Sequence, residues 1–333
     1  MNAEFHDALL AVIRARMPGI TELRNLQRLS AGATMQTWSF DALLEGQVQP
    51  LILRRRPPGN AQPDDFVRSG TEATVIRAAV DAGVPAPIVR YVLQPEDGLG
   101  GGFVMERIDG ETIPKKIHRQ LTSDALRLAL LRQVGAAAAN IHAVPVARMS
   151  GLRTLSIEQV LDDAREDYRR QGQTRPVFEL ALRYLSERTP SSGYTPRLVH
   201  GDYRMGNLIV GPTGLAAVLD WDLCYIGDPM LDLAWFCLPP WRFGRIDQPA
   251  GGVGRREDLF AAYESTTGER VDRERVRYWE IFGSLRWGLM CSGMVEWFRS
   301  GRDRGVERAM IARRASESEL DLLRILTEQD HAG

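Results

Sequence analysis

Lysine is almost absent from this chain. Among its 42 Lys and Arg residues only Lys115 and Lys116 are lysines, so arginine supplies nearly all of the fixed positive charge. Neither lysine stands in a Gly-Lys-Ser/Thr context, which excludes a Walker-type phosphate loop. Cysteine is scarce as well. Cys224, Cys237 and Cys291 lie far apart with no CxxC pair, which excludes a disulfide framework, leaves no zinc-ligand spacing and suits a reducing cytoplasm. Excess charge of either sign is missing too. The formal net charge is −1, far from the basic footprint of nucleic-acid binding, and no nucleic-acid partner is expected. No long uncharged apolar run occurs: residues 281–298 contain Arg286 and Glu296, which suits a buried core helix and predicts no membrane partner. The first residues carry Glu4, Asp7, Arg14 and Arg16 through an apolar pattern. This reads as an amphipathic surface helix and not as a signal peptide, so no export is expected. The glycines between 98 and 102 separate two apolar runs and open no helix, which disfavours a dinucleotide fold.

What is present is apolar material, 44% of the residues, enough for one large domain or two lobes sharing a cleft. Strands are expected at 26–29 and 37–44, either side of the small-residue stretch Ser30-Ala31-Gly32-Ala33-Thr34, and a third at 50–54. Pro57 and Pro58 break ladder and helix alike, so 55–60 reads as a loop. Val67, Ala73, Ile76 and Val80 are spaced for a helix over 64–82, closed by Gly83, Pro85 and Pro87. Two further strands follow at 88–93 and 103–108. Beyond Asp109-Gly110 the pattern turns helical, at 122–144, 157–171 and 177–187, and is interrupted once, at 198–219. No internal repeat, low-complexity tract or flexible linker appears.

That interruption carries the chemistry. Gly211-Pro212-Thr213-Gly214 is a turn between two short apolar runs, so 208–210 and 215–219 should pair as an antiparallel hairpin. The residues entering and leaving such a hairpin lie at one end, which makes Asn207 and Asp220 neighbours. An amide oxygen beside a carboxylate is the hard oxygen ligation that Mg²⁺ takes when waters and phosphates complete its shell. Asp202, five residues earlier, is placed to accept a proton from an attacking hydroxyl. Each of the three alone would read as a loop cap or a surface turn; their joint spacing argues for chemistry.

His200-Gly201-Asp202, four residues, Asn207 and then Asp220-Trp221-Asp222 resembles the signature of the aminoglycoside phosphotransferase and choline kinase superfamily, relatives of the protein kinases. The resemblance implies an α+β, protein-kinase-like two-lobed fold. A β-rich nucleotide-binding lobe would span 1–107, and a larger, mainly helical catalytic and substrate-binding lobe 108–333. It implies a small-molecule kinase that uses ATP and Mg²⁺, with Asp202 as catalytic base and Asn207 and Asp220 as metal ligands. By the same resemblance Ser30, Gly32 and Thr34 belong to the nucleotide-covering loop and Glu72 is the ion-pairing glutamate of the small-lobe helix. Met105, Glu106 and Ile108 lie in the hinge that meets adenine, and Asp232 starts a helix as a structural residue. Where most kinases place a lysine on the third strand, this chain has Arg54, which can pair with Glu72 and still offer donors to phosphate. No Asp-Phe-Gly and Ala-Pro-Glu pair brackets an activation loop, which disfavours a protein kinase.

More narrowly, Leu53-Arg54-Arg55-Arg56-Pro57-Pro58-Gly59 together with His200-Gly201-Asp202-Tyr203-Arg204 resembles phosphotransferases related to the kinase-like region of acyl-CoA dehydrogenase fusion proteins. Arginine at the strand end is usual there, and a hydroxyacyl-CoA becomes one possible acceptor. Arg204, Arg242, Arg245, Arg255 and Arg256 would repel polycationic antibiotics and favour an anionic or neutral small-molecule acceptor, although charge clusters are commonly plain solvated surface. Arg204, Trp241 and Arg242 are the residues expected nearest that acceptor. Aminoglycoside or macrolide kinase activity is the alternative, as is a nucleotide-binding pseudokinase without turnover, suggested by the missing lysine. His118, His142 and His200 read as structural, His200 bracing the catalytic loop.

Overall fold

A computed structural model describes residues 3–29, 35–58, 63–190, 193–301 and 305–330. The chain begins with α1 (Ala3–Arg16), β1 (Ile20–Arg28), β2 (Gln36–Leu44), β3 (Gln47–Arg55), α2 (Pro63–Asp81), β4 (Val89–Val92) and β5 (Gly102–Glu106). It continues through α3 (Pro114–Gln120), α4 (Asp124–His142), α5 (Ile157–Gln171), α6 (Pro176–Glu187), β6 (Arg197–Val199), β7 (Leu208–Gly211), β8 (Gly214–Val218) and β9 (Tyr225–Gly227). Last come α7 (Met230–Phe236), α8 (Arg256–Thr267), α9 (Arg273–Arg299), α10 (Val306–Ala312) and α11 (Ala315–Asp330). This is the α+β architecture expected, a β-rich region followed by a helical one.

The backbone divides into two compact units, and the division is not a single cut after residue 107. The first unit holds Met1–Glu111, Ala147–Gly151 and Leu208–Asp222. Its five strands form an antiparallel sheet in the order β1-β2-β3-β5-β4. β1 is longer than the 26–29 run suggested. Its buried residues, Ile20, Leu23 and Leu26, recur every third position, because register shifts on either side of Arg24 break the two-residue alternation that sequence reading looks for. β3 likewise extends through Arg55, and its run Leu51, Ile52 and Leu53 is buried on both faces. Leu9 and Ile13 of α1 pack onto this sheet with Leu23, Phe40, Leu53 and Val104. The glycine-rich turn has a steric purpose: a Cβ on Gly102 would lie 2.2 Å from the Arg54 carbonyl oxygen, so β5 can start beside β3 only as glycine.

The expected hairpin is present as β7 and β8, with Leu208 opposite Val218. It belongs to the β-rich unit and not to the helical one. Val210 exchanges backbone hydrogen bonds with Glu111, and the Val218 N–H donates to the Pro85 carbonyl at 2.8 Å.

The second unit holds Thr112–Val146, Leu152–Asn207 and Leu223–Gly333. Helix α5 matches the sequence expectation residue for residue because both ends are written locally: Ser156 and Gln159 form a reciprocal cap, and Gly172 closes the helix in the left-handed region. α4 starts after Ser123, whose side chain accepts from the Leu126 N–H. The 27-residue α9 buries most of its residues between Val276 and Ser292 and is more open to solvent afterwards. No helix among the described residues is long and apolar enough to cross a membrane.

Candidate active site

Within the helical unit, β6 and β9 pair antiparallel, Leu198 opposite Ile226, and the chain turns at His200 and Gly201. Gly201 has φ +80°, and a Cβ there would come within 2.4 Å of the Leu223 carbonyl oxygen, so the turn requires glycine. Asp232, fully buried in the first turn of α7, accepts the backbone N–H groups of His200 at 2.8 Å and Gly201 at 2.9 Å. His142 on α4 donates to the same carboxylate from Nε2 at 3.0 Å, and its Nδ1 lies 2.9 Å from the Tyr263 hydroxyl. Burial pushes the Asp232 carboxyl up, but the hydrogen bond from His142 leads the effects that outweigh it and hold the group below the usual carboxylate range. Arg286 on α9 donates to the Gly201 carbonyl at 3.1 Å. Three helices thereby fix one loop.

That loop presents Asp202. Its buried carboxylate accepts Trp235 Nε1 at 2.8 Å on Oδ1 and Asn207 Nδ2 at 2.7 Å on Oδ2. Arg204 Nε straddles both oxygens, at 2.9 and 3.1 Å. Asn207 ends a single helical turn (Met205–Asn207), and its Nδ2 donates also to the Asp202 carbonyl at 2.9 Å. With both amide hydrogens so used, Oδ1 is the atom it can offer to a hard cation. The Arg204 guanidinium lies over Trp241, 4.8 Å from the ring centroid, in space left by Gly206, where a Cβ would meet Arg204 Nη1 at 2.2 Å.

A second cluster is built within the β-rich unit. Arg54, on β3, donates from Nη1 to Glu72 of α2 at 2.8 Å and from Nη2 to Asp220 at 2.7 Å, with Asp222 at 3.5 Å. Its planar fork spans what a point charge could not. Asp220 follows β8 at φ +69°, a left-handed conformation that aspartate tolerates better than most residues. Burial pushes Glu72 up to about 7, against the pull of Arg54. Three carboxylates share one guanidinium here, and among the described residues no group of three or more His, Cys, Asp or Glu side chains is arranged to hold a metal ion by itself.

The structure therefore brings Asp202, Asn207, Arg204 and Trp241 together in the helical unit, and Arg54, Glu72 and Asp220 together in the β-rich unit. Met105 and Glu106 end β5 and Ile108 follows it; the Glu106 N–H donates to the Ile88 carbonyl at 3.0 Å and its carboxylate pairs with Arg90. Ser30, Gly32 and Thr34 lie outside the described residues. The structure gives the three residues expected nearest the acceptor these surroundings. Arg204 is engaged with Asp202 itself, because its short reach along the loop ends on that carboxylate. Trp241 does not stand in an open loop but is buried between Trp235 and Trp287, with centroids at 5.7 and 4.8 Å. Arg242 donates to the Cys237 carbonyl at 2.9 Å and lines a cavity. His118, which lies on α3, meets the Gly251 carbonyl at 3.0 Å. Sequence reasoning missed Trp235 and Arg286 as supports of the loop, and Asp222 as a partner of Arg54. Trp235 reads as an ordinary core aromatic, and nothing in its spacing reveals that its N–H faces Asp202.

A family model described as phosphotransferase enzyme family matches residues 25–279. Among curated proteins, acyl-CoA dehydrogenase family member 11 of Pongo abelii is 27% identical over 240 residues, covering 66% of this chain and 30% of that protein. The chain thus spans well under half the length of that relative. Among solved structures, a Ralstonia eutropha protein described as a candidate aminoglycoside phosphotransferase superposes with TM-score 0.75 at 21% identity, covering 97% of this chain and 98% of the other. A thermostable mutant of aminoglycoside phosphotransferase APH(4)-Ia, in complex with AMP-PNP and hygromycin B, superposes with TM-score 0.64 at 17% identity, covering 96% and 98%.

Proposed function

Because the chain belongs to the phosphotransferase enzyme family, we propose that it is a small-molecule kinase transferring the γ-phosphoryl group of ATP to an alcohol hydroxyl. The observation that carries this reading is Asp202, a buried carboxylate oriented by Trp235, Asn207 and Arg204 on a loop that Asp232 braces. A carboxylate held in this way can orient a hydroxyl and take its proton as the new phosphorus–oxygen bond forms. Asn207 and Asp220 are the oxygen ligands assigned to Mg²⁺, which when bound would neutralise phosphate charge. Arg54 is assigned to the nucleotide phosphates, with Glu72 fixing its direction. Ser30, Gly32, Thr34, Met105, Glu106 and Ile108 are assigned to the nucleotide by resemblance alone.

The acceptor is anionic or neutral. Arg204 beside Asp202 disfavours a polycation such as an aminoglycoside, and the likeness to an acyl-CoA dehydrogenase family member supports a hydroxyacyl-CoA as one acceptor. A coupled assay of ATP consumption over hydroxyacyl-CoA thioesters, amino-alcohols, sugars, macrolides and aminoglycosides tests the reading. Asp202→Ala should lose at least about a hundredfold in turnover with nucleotide affinity nearly unchanged; if turnover survives, Asp202 is not the base. Arg54 in the lysine position favours a second reading, a nucleotide-binding module without turnover. ATP bound but not consumed across the whole panel would establish it.

A further inference from the structure

The helical unit contains a cavity of about 1020 Å³ that the catalytic cluster does not use. Its wall is formed by the start of α3, the turn around Pro239 and Arg242, the start of α8, the first half of α9, and α11 with the residue before it, Arg314. Lys115, Arg242, Arg256, Arg277, Arg314 and Arg324 line it, against three carboxylates, Glu280, Glu317 and Asp321. Glu280 is shared by Arg256 at 2.7 Å and Arg277 at 3.6 Å, and Arg314 pairs with Glu317 at 2.9 Å. Lys115, Arg242 and Arg324 form no ion pair among the described residues. Arg242 is held by carbonyl oxygens of Cys237 and Ile246, which fix its direction without cancelling its charge. Burial first, and then crowding by Arg256, press its guanidinium below the ordinary range, a repulsion that a bound anion would relieve.

We propose that this cavity receives the phosphate-bearing end of the acceptor, a small molecule whose reacting hydroxyl lies at some distance from a multiply charged phosphate group. The inference rests on the kinase reading of Asp202 and adds the acceptor's chemical class. Three unbalanced positive charges match a polyanion, and arginine forks match phosphate oxygens in pairs. The volume leaves room for a molecule larger than one phosphate. A short chain of residues links the cavity wall to the chemistry: Arg242 follows Trp241, and Trp241 is the shelf beneath the Arg204 that holds Asp202.

The near-absence of lysine supplies the assay. Dimethylation of the ε-amines with ¹³C keeps their charge and gives two lysine signals, Lys115 in the cavity wall and Lys116 as an internal reference. Inorganic pyrophosphate is titrated while the nucleotide site is kept saturated with Mg²⁺ and a non-hydrolysable ATP analogue. The expected result is a saturable shift of the Lys115 signal larger than that of Lys116, with citrate binding more weakly and spermidine having no effect. Arg324→Gln, an exposed change on α11, and Arg242→Gln should each weaken pyrophosphate binding at least fivefold. Loss of the shift on adding nucleotide, citrate binding as tightly as pyrophosphate, or unchanged affinity in both variants would each overturn the proposal. Failure of the kinase reading looks different: pyrophosphate would still bind here, while no hydroxyl acceptor supported ATP consumption.

Discussion

Replacing Asp232 by asparagine should damage both stability and turnover, although the two side chains have nearly the same shape. The carboxylate is fully buried and accepts three hydrogen bonds, from His200 N and His142 on one oxygen and from Gly201 N on the other. An amide offers a single acceptor oxygen. If that oxygen keeps His200 and His142, the new NH₂ faces the Gly201 N–H, donor against donor; if it is turned over, two donors lose their acceptor. A hydrogen bond to a charged group contributes about 1.5–3 kcal/mol and a buried donor left without an acceptor costs about 1–3 kcal/mol. The variant should therefore be destabilised by about 3–5 kcal/mol, read from urea unfolding with an unchanged denaturant slope. Turnover at a temperature where the variant is folded should fall at least about tenfold, since Asp202 rides on the same loop and small displacements of a positioned base are expensive. An Asp232→Asn protein within about 0.5 kcal/mol of the parent and with the same kcat would refute the idea that this carboxylate braces the loop.

Trp235→Phe removes the indole N–H from Asp202 while keeping a smaller aromatic ring, and should lower kcat by about tenfold with little change in KM for ATP; a change confined to KM would contradict the positioning role. Arg54→Met leaves Glu72 buried without its partner and should weaken nucleotide binding at least tenfold, measured by calorimetry, while lowering stability by about 3 kcal/mol. The buried Glu72 carboxyl, pushed up to about 7 from an ordinary 4.5, gives a pH signature. A raised acid is protonated more readily in the folded state, so its contribution is complete below 4.5 and is lost as pH rises through 7. The nucleotide-free protein should lose up to about 3 kcal/mol over that window, and denaturant melts of Glu72→Gln should lack that slope.

Some of the site is legible in the sequence. The β7–β8 hairpin follows from a four-residue turn and its flanking apolar runs, and α5 from a serine cap and a closing glycine. The pairing of Arg54 with Glu72 is reachable because the family resemblance names both positions. Other parts are hidden for identifiable reasons. β1 carries two register shifts, which erase the alternation that marks a strand. Trp235, Arg286 and His142 reach the catalytic loop or its brace across 33, 85 and 90 residues of sequence, and no local pattern encodes such contacts. Arg204 is visible, but its direction is not: rotamer and shelf are set by Trp241 and by the missing side chain of Gly206.

By itself the amino-acid order determined the turns, the caps and which side chains have the chemistry to take a proton or hold a cation, because those properties depend on neighbours a few bonds away. The tertiary structure alone decided which indole faces Asp202, which buried acid anchors its loop, that the hairpin joins the β-rich unit, and that cations from α3, α8, α9 and α11 line one cavity. Those outcomes depend on how helices and strands distant in sequence pack, where burial and hydrogen-bond satisfaction select among arrangements that the local sequence leaves equally open.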